Sequence, residues 1–188
     1  DIYMGNNNQK IIINANDETS SVLIGSGIDF NKGLTIDINN EVKTNRGNYS
    51  KGVGTVFLTG NVGSDSKRAN FNLYGGTLSF INDLPTTTIY AGKFVVLEDT
   101  KMGFDINLTP YDESNKVQFD MLNFSSLSGT KKIILTSDSF NITGDLGESG
   151  NSVVAGLLVG SSSAIKNFVQ MYDKGKRVGV LYKYDEED

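Results

Sequence analysis

Carboxylates are the side chains of this chain best suited to acid–base chemistry, because its 188 residues include no histidine and no cysteine. Asp105 and Asp120 fall in successive predicted strands, which could stack, and Asp112 and Glu113 are adjacent in a predicted loop. A glycosidase needs two such acids at a defined distance across a cleft. In an acidic, strand-rich chain, neighbouring carboxylates also arise without catalysis. We therefore predict no catalytic residue and no enzymatic activity.

Metal and cofactor motifs are equally incomplete. Asp105-x-Asn107-x-Thr109 is similar to the start of a calcium loop, but the required glycine and the distal glutamate are missing. A lyase-type site needs a basic residue beside calcium-binding acids, and the three arginines are far apart in the sequence: Arg46, Arg68 and Arg177. Phosphate-binding, dinucleotide-binding and nucleophile-elbow glycine motifs do not occur. We predict no metal site and no cofactor.

Aromatic side chains on the predicted outer surface are the candidate binding residues: Phe57, Tyr74, Tyr90 and Tyr111. Phe57 alternates with the apolar pair Val56 and Leu58, and the three tyrosines fall near strand ends or loops. Such rings can stack on a sugar or anchor a protein partner. Packing at the corners of the fold is the alternative role for them.

Charge limits the partners of this chain. The net charge is −5, and no basic cluster is interleaved with aromatic residues, so we predict that it does not bind nucleic acid. An acidic surface also suits anionic lipid poorly, and no apolar run is long enough to span a bilayer, so we predict no direct membrane insertion. The chain opens at Asp1 without a methionine, and we expect a mature fragment or an excised domain.

The elements that must position these residues are short strands, most clearly between Gly52 and Leu135, where apolar residues alternate with Asn, Asp, Ser and Thr. Alternation at period two places one set of side chains on each strand face. The predicted strands are residues 55–60, 69–74, 77–81, 88–91, 93–98, 102–108, 116–121, 131–137 and 139–143. The predicted inward residues include Phe104, Ile106, Leu108, Val117, Phe119 and Met121, and the predicted outward residues include Asn72, Ser79, Asp105, Asn107, Gln118 and Asp120.

Turn composition favours strands that wind in one direction. Asn-Gly and Asp-Gly, the preferred two-residue hairpin turns, do not occur, although Gly-Asn and Gly-Ser steps could form type II′ turns. Strand starts lie about ten residues apart, which fits a repeat of three strands. These features indicate an all-β parallel solenoid, with an antiparallel β-sandwich as the alternative. In the solenoid, Ile106→Asp is expected to unfold neighbouring coils by burying a charge.

The last quarter of the chain has a different pattern. We predict a single domain over residues 1–188, with regular coils over 1–143 and a less regular end or cap over 144–188. Ile165, Phe168, Val169 and Tyr172 are spaced as on one face of a helix, with Ser163 as an N-cap candidate. Residues 163–172 are therefore predicted as a short helix or as a further strand.

Two sequence motifs resemble those of a known protein family. The run beginning Gly52-Val53-Gly54-Thr55-Val56 and ending Leu58-Thr59-Gly60-Asn61 resembles a repeated phrase of bacterial autotransporter passenger regions. The run from Phe71-Asn72-Leu73 through Gly75-Gly76-Thr77-Leu78 resembles a second phrase of the same regions, and residues 104–135 resemble their membrane-proximal segment. The similarity covers residues 50–145. The membrane barrel of the family is not included in the chain.

The resemblance implies a single-stranded right-handed parallel β-helix, or β-solenoid, at the bacterial cell surface or outside the cell. It also implies a structural and adhesive stalk whose partner is a protein or glycan of a host or neighbouring cell. Two other functions remain open at this point. One is a glycan-binding β-sandwich, and the other is a polysaccharide-degrading β-helix enzyme.

Overall fold

The fold is all-β with one short α-helix among the described residues. The computed structural model describes residues 2–3, 9–16, 21–24, 28–29, 34–43, 45–84, 86–108, 117–144, 155–173 and 176–178. The strands within these ranges are β1 Ile2–Tyr3, β2 Lys10–Ile13, β3 Ser21–Ile24, β4 Ile28–Asp29, β5 Thr35–Ile38, β6 Val42–Lys43, β7 Tyr49–Ser50, β8 Thr55–Leu58, β9 Ala69–Tyr74, β10 Thr77–Ser79, β11 Thr88–Glu98, β12 Thr100–Asn107, β13 Gln118–Phe119, β14 Met121–Gly129, β15 Ile133–Leu135, β16 Phe140–Thr143, β17 Leu158–Val159, β18 Val169–Asp173 and β19 Lys176–Val178. A 3₁₀ turn spans Ser137–Ser139, and helix α1 spans Ser162–Phe168.

Two large sheets receive the strands alternately. The first has the order β17-β14-β11-β9-β5-β2, and the second contains the path β19-β18-β15-β12-β10-β8-β3. Along these two paths the chain alternates six times between the first sheet and the second, from β2 and β3 to β17 and β18. The intervening strands β4, β6 and β7 belong to separate two-stranded sheets, and β13 and β16 join the second sheet beside β12. The pairs along these two paths are parallel, apart from the terminal pair β18·β19. Among the described residues, antiparallel strand pairing otherwise occurs in the short pairs β6·β7 and β12·β13, with one isolated bridge between Ser64 and Lys67. The antiparallel sandwich considered from sequence is therefore wrong.

The register of the parallel pairs stacks apolar side chains into rows. In the first sheet, one row runs from Ile11 through Ile36, Phe71 and Phe94 to Leu127. In the second sheet, a row joins Val56, Leu78 and Met102. Because residues two apart share a strand face, these rows come directly from the alternation in the sequence.

The core lies between the two sheets and is one continuous cluster. Four phenylalanines are fully buried in it, and they form two ring pairs: Phe71 with Phe94, whose centroids are 5.5 Å apart, and Phe80 with Phe104, which stack at 5.0 Å with their planes 15° apart. Such offset pairs stabilise by about 0.5–1.5 kcal/mol beyond the area they bury. The first pair therefore packs β9 against β11 in the first sheet. The second pair packs the residue after β10 against β12 in the second sheet.

A buried asparagine organises one corner between the sheets. Asn39 adopts a left-handed backbone conformation (φ 60°) that asparagine tolerates better than most residues. Its side-chain oxygen accepts the Ala15 N–H at 2.9 Å, and its amide nitrogen donates to the carbonyls of Gly54 and Gly75 at 3.2 and 3.1 Å. A side chain at Gly76 would collide with this amide, which explains the glycine there. One residue thus connects three separate passes of the chain.

The predicted facing of the strand at residues 116–121 is wrong beyond Val117. Asp120 is fully buried, whereas Phe119 and Met121 are only half-buried. The segment contains two strands, because β13 pairs antiparallel with β12 and β14 starts a new parallel pairing with β11. At Asp120, between β13 and β14, the alternation of buried and exposed side chains shifts by one residue. The residues predicted to face outward therefore face inward from this point. Leu122 and Phe124 then provide the buried face of β14.

Two further facing assignments need correction. Ser79, predicted to face outward, is buried. Ile106, predicted at the centre of an inward set, is half-buried, as is Leu108, and only Phe104 of that set is fully buried. The reason is that β12 extends beyond its pairing with β10 and β15, which ends at Gly103, so that its last residues pair with β13 and β16 instead.

The segment at residues 163–172 contains both a helix and a strand, which were the two alternatives predicted from sequence. Helix α1 ends at Phe168, and Val169 begins β18, in which it pairs with Ile133 of β15. The N-cap is Ser161, which accepts the Ala164 N–H at 3.4 Å, and not Ser163. Parallel pairing with β15 therefore overrides the helical pattern of the second half of this segment.

Candidate functional site

The predicted binding aromatics lie on two different sheets. Tyr74 of β9 and Tyr90 of β11 belong to the first sheet, whereas Phe57 of β8 belongs to the second, where it pairs with Ser79. All three side chains are half-buried, and Tyr111 lies outside the described residues. Because Ala69 pairs with Ala91, Tyr90 and Tyr74 are about six residues apart along the strands, or about 20 Å. They do not form one patch.

Arg68 forms a cluster with Tyr90, Asn123 and Asp65 on the outer face of the first sheet, which we call the Arg68 cluster. The guanidinium lies over the Tyr90 ring, 5.8 Å from its centroid. One terminal nitrogen donates to the Asn123 side-chain oxygen at 2.9 Å and to the Ala91 carbonyl at 3.2 Å, and the other forms an ion pair with Asp65. The guanidinium is therefore held in place across neighbouring strands.

The chemistry of the Arg68 cluster is that of a polar surface site. It combines an aromatic ring with a cation, an amide and a carboxylate, and its Asp65 is exposed. An aromatic ring beside fixed polar groups is suited to binding a hydroxyl-rich ligand such as a sugar. It is equally suited to insertion into a pocket on a partner protein.

Tyr74 lies in a second polar cluster at the other end of the same strands. Asp37 is fully buried and accepts the Asn40 and Asn72 amides, both at 2.8 Å, while Lys10 approaches it at 3.1 Å. Burial raises the pKa of Tyr74, the Asp37 carboxylate raises it further, and Lys10 opposes them. Tyr74 consequently presents a neutral hydroxyl at physiological pH.

Asp105 and Asp120 come together, although through the antiparallel pairing of β12 with β13 and not through the stacked strands considered from sequence. Asp120 accepts the backbone N–H groups of Thr87 and Asp105, each at 2.7 Å. Asp105 accepts the backbone N–H of Asn82 at 2.7 Å and the Asn141 amide at 2.6 Å. Each of the four carboxylate oxygens thus accepts one hydrogen bond, and the four donors come from separate segments of the chain.

The environment of Asp120 shifts its titration. Burial raises the pKa of Asp120 to about 6, the two backbone N–H donors act in the opposite direction, and the nearby Asp105 charge adds to the rise. A carboxyl with such a pKa exchanges protons near neutral pH, which is a property of general acids. Here, however, both oxygens of the fully buried group face backbone donors. These two hydrogen bonds account for the buried Asp120 carboxylate as a structural group.

The buried polar residues are the part of the site that sequence reasoning missed. Asp37, Asn39 and Asp120 all interrupt or follow apolar strands, and alternation alone assigns such residues to the outside or to loops. The Asn39-Asn40 pair after a strand was a usable signal, because asparagine is favoured at left-handed corners. Arg68 and Tyr90 are 22 positions apart, and only the register of β9 and β11 makes them neighbours.

The described ranges contain neither a metal-binding cluster nor a membrane-spanning helix. There, no three or more histidine, cysteine, aspartate or glutamate side chains are grouped so that they could hold a metal ion. Across the same ranges, no helix has both the length and the apolar character needed to cross a bilayer.

Comparison with protein-family models, with curated proteins and with solved structures finds no match. The residues and the strand order of the chain itself are therefore the basis of the functional proposal.

Proposed function

We propose that this chain folds as a right-handed parallel β-solenoid and serves as a non-enzymatic, structural and adhesive stalk segment of an autotransporter-like protein at the bacterial cell surface or outside the cell. The observation that carries the proposal is the sixfold alternation of the chain between two parallel sheets with stacked apolar rows. Successive strands that wind in this way form coils. Right-handed winding follows from the strong preference of parallel crossover connections for that hand.

The corner chemistry supports the same architecture. Asn39 connects backbone groups from three passes of the chain, and the Thr100 hydroxyl accepts the Gly75 N–H at 3.0 Å at the same corner. Side chains that satisfy corner backbone groups let strands stack without hairpins. Such a fold stabilises each coil through its neighbours, which suits a stalk.

The outer sheet face supports the adhesive part of the proposal. This face of the first sheet contains the Arg68 cluster, in which Asp65 is exposed and Arg68 and Tyr90 are half-buried, and it also contains the half-buried Tyr74. We propose a protein or glycan of a host or neighbouring cell as the partner. The net charge of −5 disfavours nucleic acid, and the segment itself does not insert into a membrane in this proposal.

Adhesion can be tested with beads coated with the purified chain. We expect the beads to adhere to cultured epithelial cells or to spots of a glycan array, and Tyr90→Ala to reduce retention by about tenfold, since central aromatic anchors contribute most of a binding energy. Tyr49→Ala is the matched control, because Tyr49 is 66% exposed and lies outside both clusters. If the coated beads adhere no better than uncoated ones, the adhesive role is excluded.

The non-enzymatic part has a separate test, because a polysaccharide-degrading enzyme is the competing function. We expect incubation with a panel of polysaccharides to yield no new reducing ends and no unsaturated products. Turnover that Asp105→Asn abolishes would assign catalysis to the Asp105–Asp120 pair and overturn the stalk interpretation.

A further inference from the structure

A bulge in the first sheet lies beside the Arg68 cluster. Ala69 of β9 pairs with Ala91 of β11, and Phe71 pairs with Phe94, so one residue of β9 lies opposite two residues of β11. Strand β14 stays in register with β11 through this region, and it therefore also has two residues here. We call these four residues the β11–β14 bulge: Gly92 and Lys93 of β11, and Ser125 and Ser126 of β14.

The bulge places polar side chains on the outer face. The residues that flank it in both strands are buried in the core, so the usual alternation of side chains is interrupted between them. Lys93, Ser125 and Ser126 are exposed, and Gly92 is half-buried. Bulges in natural sheets often re-aim side chains next to functional sites.

Contacts from β9 and the turn before it hold the bulge in place. The Asn70 side-chain oxygen accepts the Lys93 backbone N–H at 2.9 Å, and Arg68 donates to the Ala91 carbonyl at 3.2 Å. A Cβ atom at Gly92 would lie 2.8 Å from the Asn70 side-chain oxygen, so glycine permits this contact. The exposed groups are therefore presented from a fixed backbone, which lowers the entropic cost of binding a ligand.

The bulge and the Arg68 cluster belong to one surface. Lys93 pairs with Ser126, and Tyr90 pairs with Asn123 three residues earlier on the same two strands. At about 3.3 Å per residue, the two pairs are about 10 Å apart. An aromatic ring, an amide, an ammonium group and two hydroxyls thus lie within reach of one small ligand.

The charge of this surface is opposite to that of the whole chain. Arg68 forms an ion pair with Asp65, whereas no ion pair among the described residues involves Lys93. Two cations therefore lie beside one carboxylate on this surface, although the net charge of the chain is −5. An anionic group is attracted here, while the chain as a whole repels it.

The residue types of the bulge favour a sugar over a protein surface. Lysine and serine are depleted in protein–protein interfaces. Serine hydroxyls both donate and accept hydrogen bonds, and the lysine ammonium donates three, so sugar hydroxyls and an anionic oxygen find matching groups here. Tyr90 adds an aromatic ring against which a sugar ring can pack.

We propose that the β11–β14 bulge, together with Tyr90, binds a sugar that bears an anionic group. The Lys93 ammonium contacts the anion, and the hydroxyls of Ser125 and Ser126 contact the hydroxyls of the sugar. The inference rests on the adhesive function proposed above and names its ligand class, an anionic glycan of the partner cell. Uronate carboxylates and sulfate esters share this chemistry.

The first test is an NMR titration of the chain with short oligogalacturonates. We expect the amide signals of the β11–β14 bulge to shift, and the methyl-esterified oligosaccharides, which lack the charge, to bind at least about threefold more weakly. Sulfated and unsulfated dextran oligosaccharides test the other anion in the same way. Preference at the bulge for either anionic member supports the proposal. Binding of neither anionic member, equal binding of the neutral ones, or shifts confined to other strands would overturn it.

The second test removes the unpaired cation. Lys93→Gln should raise the dissociation constant of the anionic oligosaccharide at least about threefold and leave that of its neutral counterpart unchanged. Lys101→Gln is the matched control, because Lys101 is also an exposed strand lysine but lies in the second sheet, where it pairs with Thr77. An unchanged affinity in Lys93→Gln, or equal losses in both variants, contradicts the role of Lys93.

Bead adhesion separates this ligand assignment from the adhesive function itself. We expect added oligogalacturonate or sulfated dextran to release beads coated with the chain from cells, and beads coated with Lys93→Gln to be retained less. Beads that adhere regardless of the competitors and of Lys93→Gln keep the adhesive function and overturn the anionic ligand. Beads that adhere to no cell and to no glycan exclude both.

Discussion

At the scale of single residues, buried polar side chains connect segments of this fold that are distant in sequence. Asp37, Asn39 and Asp120 are all inaccessible to solvent, and each accepts hydrogen bonds from, or donates them to, residues far away in sequence. A buried polar group is tolerated only when its hydrogen bonds are made. The three residues therefore fix how successive passes of the chain are placed.

The raised pKa of Asp120 predicts an unusual pH dependence of the free energy of unfolding. Because burial raises its pKa to about 6 in the folded chain, from 3.8 in the unfolded one, the folded state binds more protons between these values. The contribution of Asp120 to the free energy of unfolding therefore falls as the pH rises from about 4 to about 6, by at most about 3 kcal/mol. Urea denaturation at a series of pH values measures it.

The readout for Asp120 is a difference between variants, because other carboxyls titrate in the same range. Asp120→Asn should lose this contribution, so that its stability relative to the unsubstituted chain improves as the pH rises. Asp138→Asn removes an exposed carboxyl and serves as the control. Identical pH profiles for the chain and for Asp120→Asn would show that the folded Asp120 titrates normally.

At the scale of elements, β12 shows that one strand can serve two environments. Its first half, up to Phe104, lies in the second sheet between β10 and β15. Its second half pairs with β13 and β16 and has partly exposed side chains on both faces. The apolar alternation continues unchanged through both halves, so residue type alone does not distinguish core from periphery.

Two alanine substitutions in β12 separate these environments. Phe104→Ala should lower the free energy of unfolding by about 3–5 kcal/mol, because it removes a fully buried ring that stacks on Phe80. Ile106→Ala should cost about 1 kcal/mol, because its side chain is only half-buried. Urea denaturation followed by circular dichroism measures both. Equal losses would place Ile106 in the core, as its spacing first suggested.

At the scale of the whole molecule, the stacked rows make each strand depend on its neighbours. The strands β9 and β11 have a partner on either side, and their core residues Phe71 and Phe94 are fully buried. At one edge of the same sheet, Ile11 and Ile13 of β2 are only half-buried, and at the other so is Leu158 of β17. Stability is therefore concentrated in the middle of the stack.

Hydrogen exchange should report this gradient. We expect the slowest amide exchange in β9 and β11, and exchange at least about a hundredfold faster in β2 and β17, since local opening costs less where fewer neighbours are lost. Exchange measured by mass spectrometry or NMR resolves these strands. Equal protection from β2 to β17 would mean that the chain opens only as a whole.

The strand content and the alternation of most strands were predictable from the sequence, because side-chain period is a local property of a strand. The segments at residues 69–74 and 77–81 follow β9 and β10 closely, and the absence of Asn-Gly and Asp-Gly turns agrees with the parallel pairing. The closeness of Asp105 and Asp120 was also considered from sequence, but neither the antiparallel pairing that produces it nor the burial of Asp120 was.

Register, by contrast, was decided by the tertiary structure alone. Whether Asp120 faces inward depends on where β13 ends and β14 begins its pairing with β11, and that boundary leaves no mark in the alternation of residue types. Likewise, Arg68 meets Tyr90, and Ile106 meets Ile142, only because strands distant in sequence stack at one offset. A strand's own residues specify which side chains share a face, but the neighbouring strands determine which face is covered.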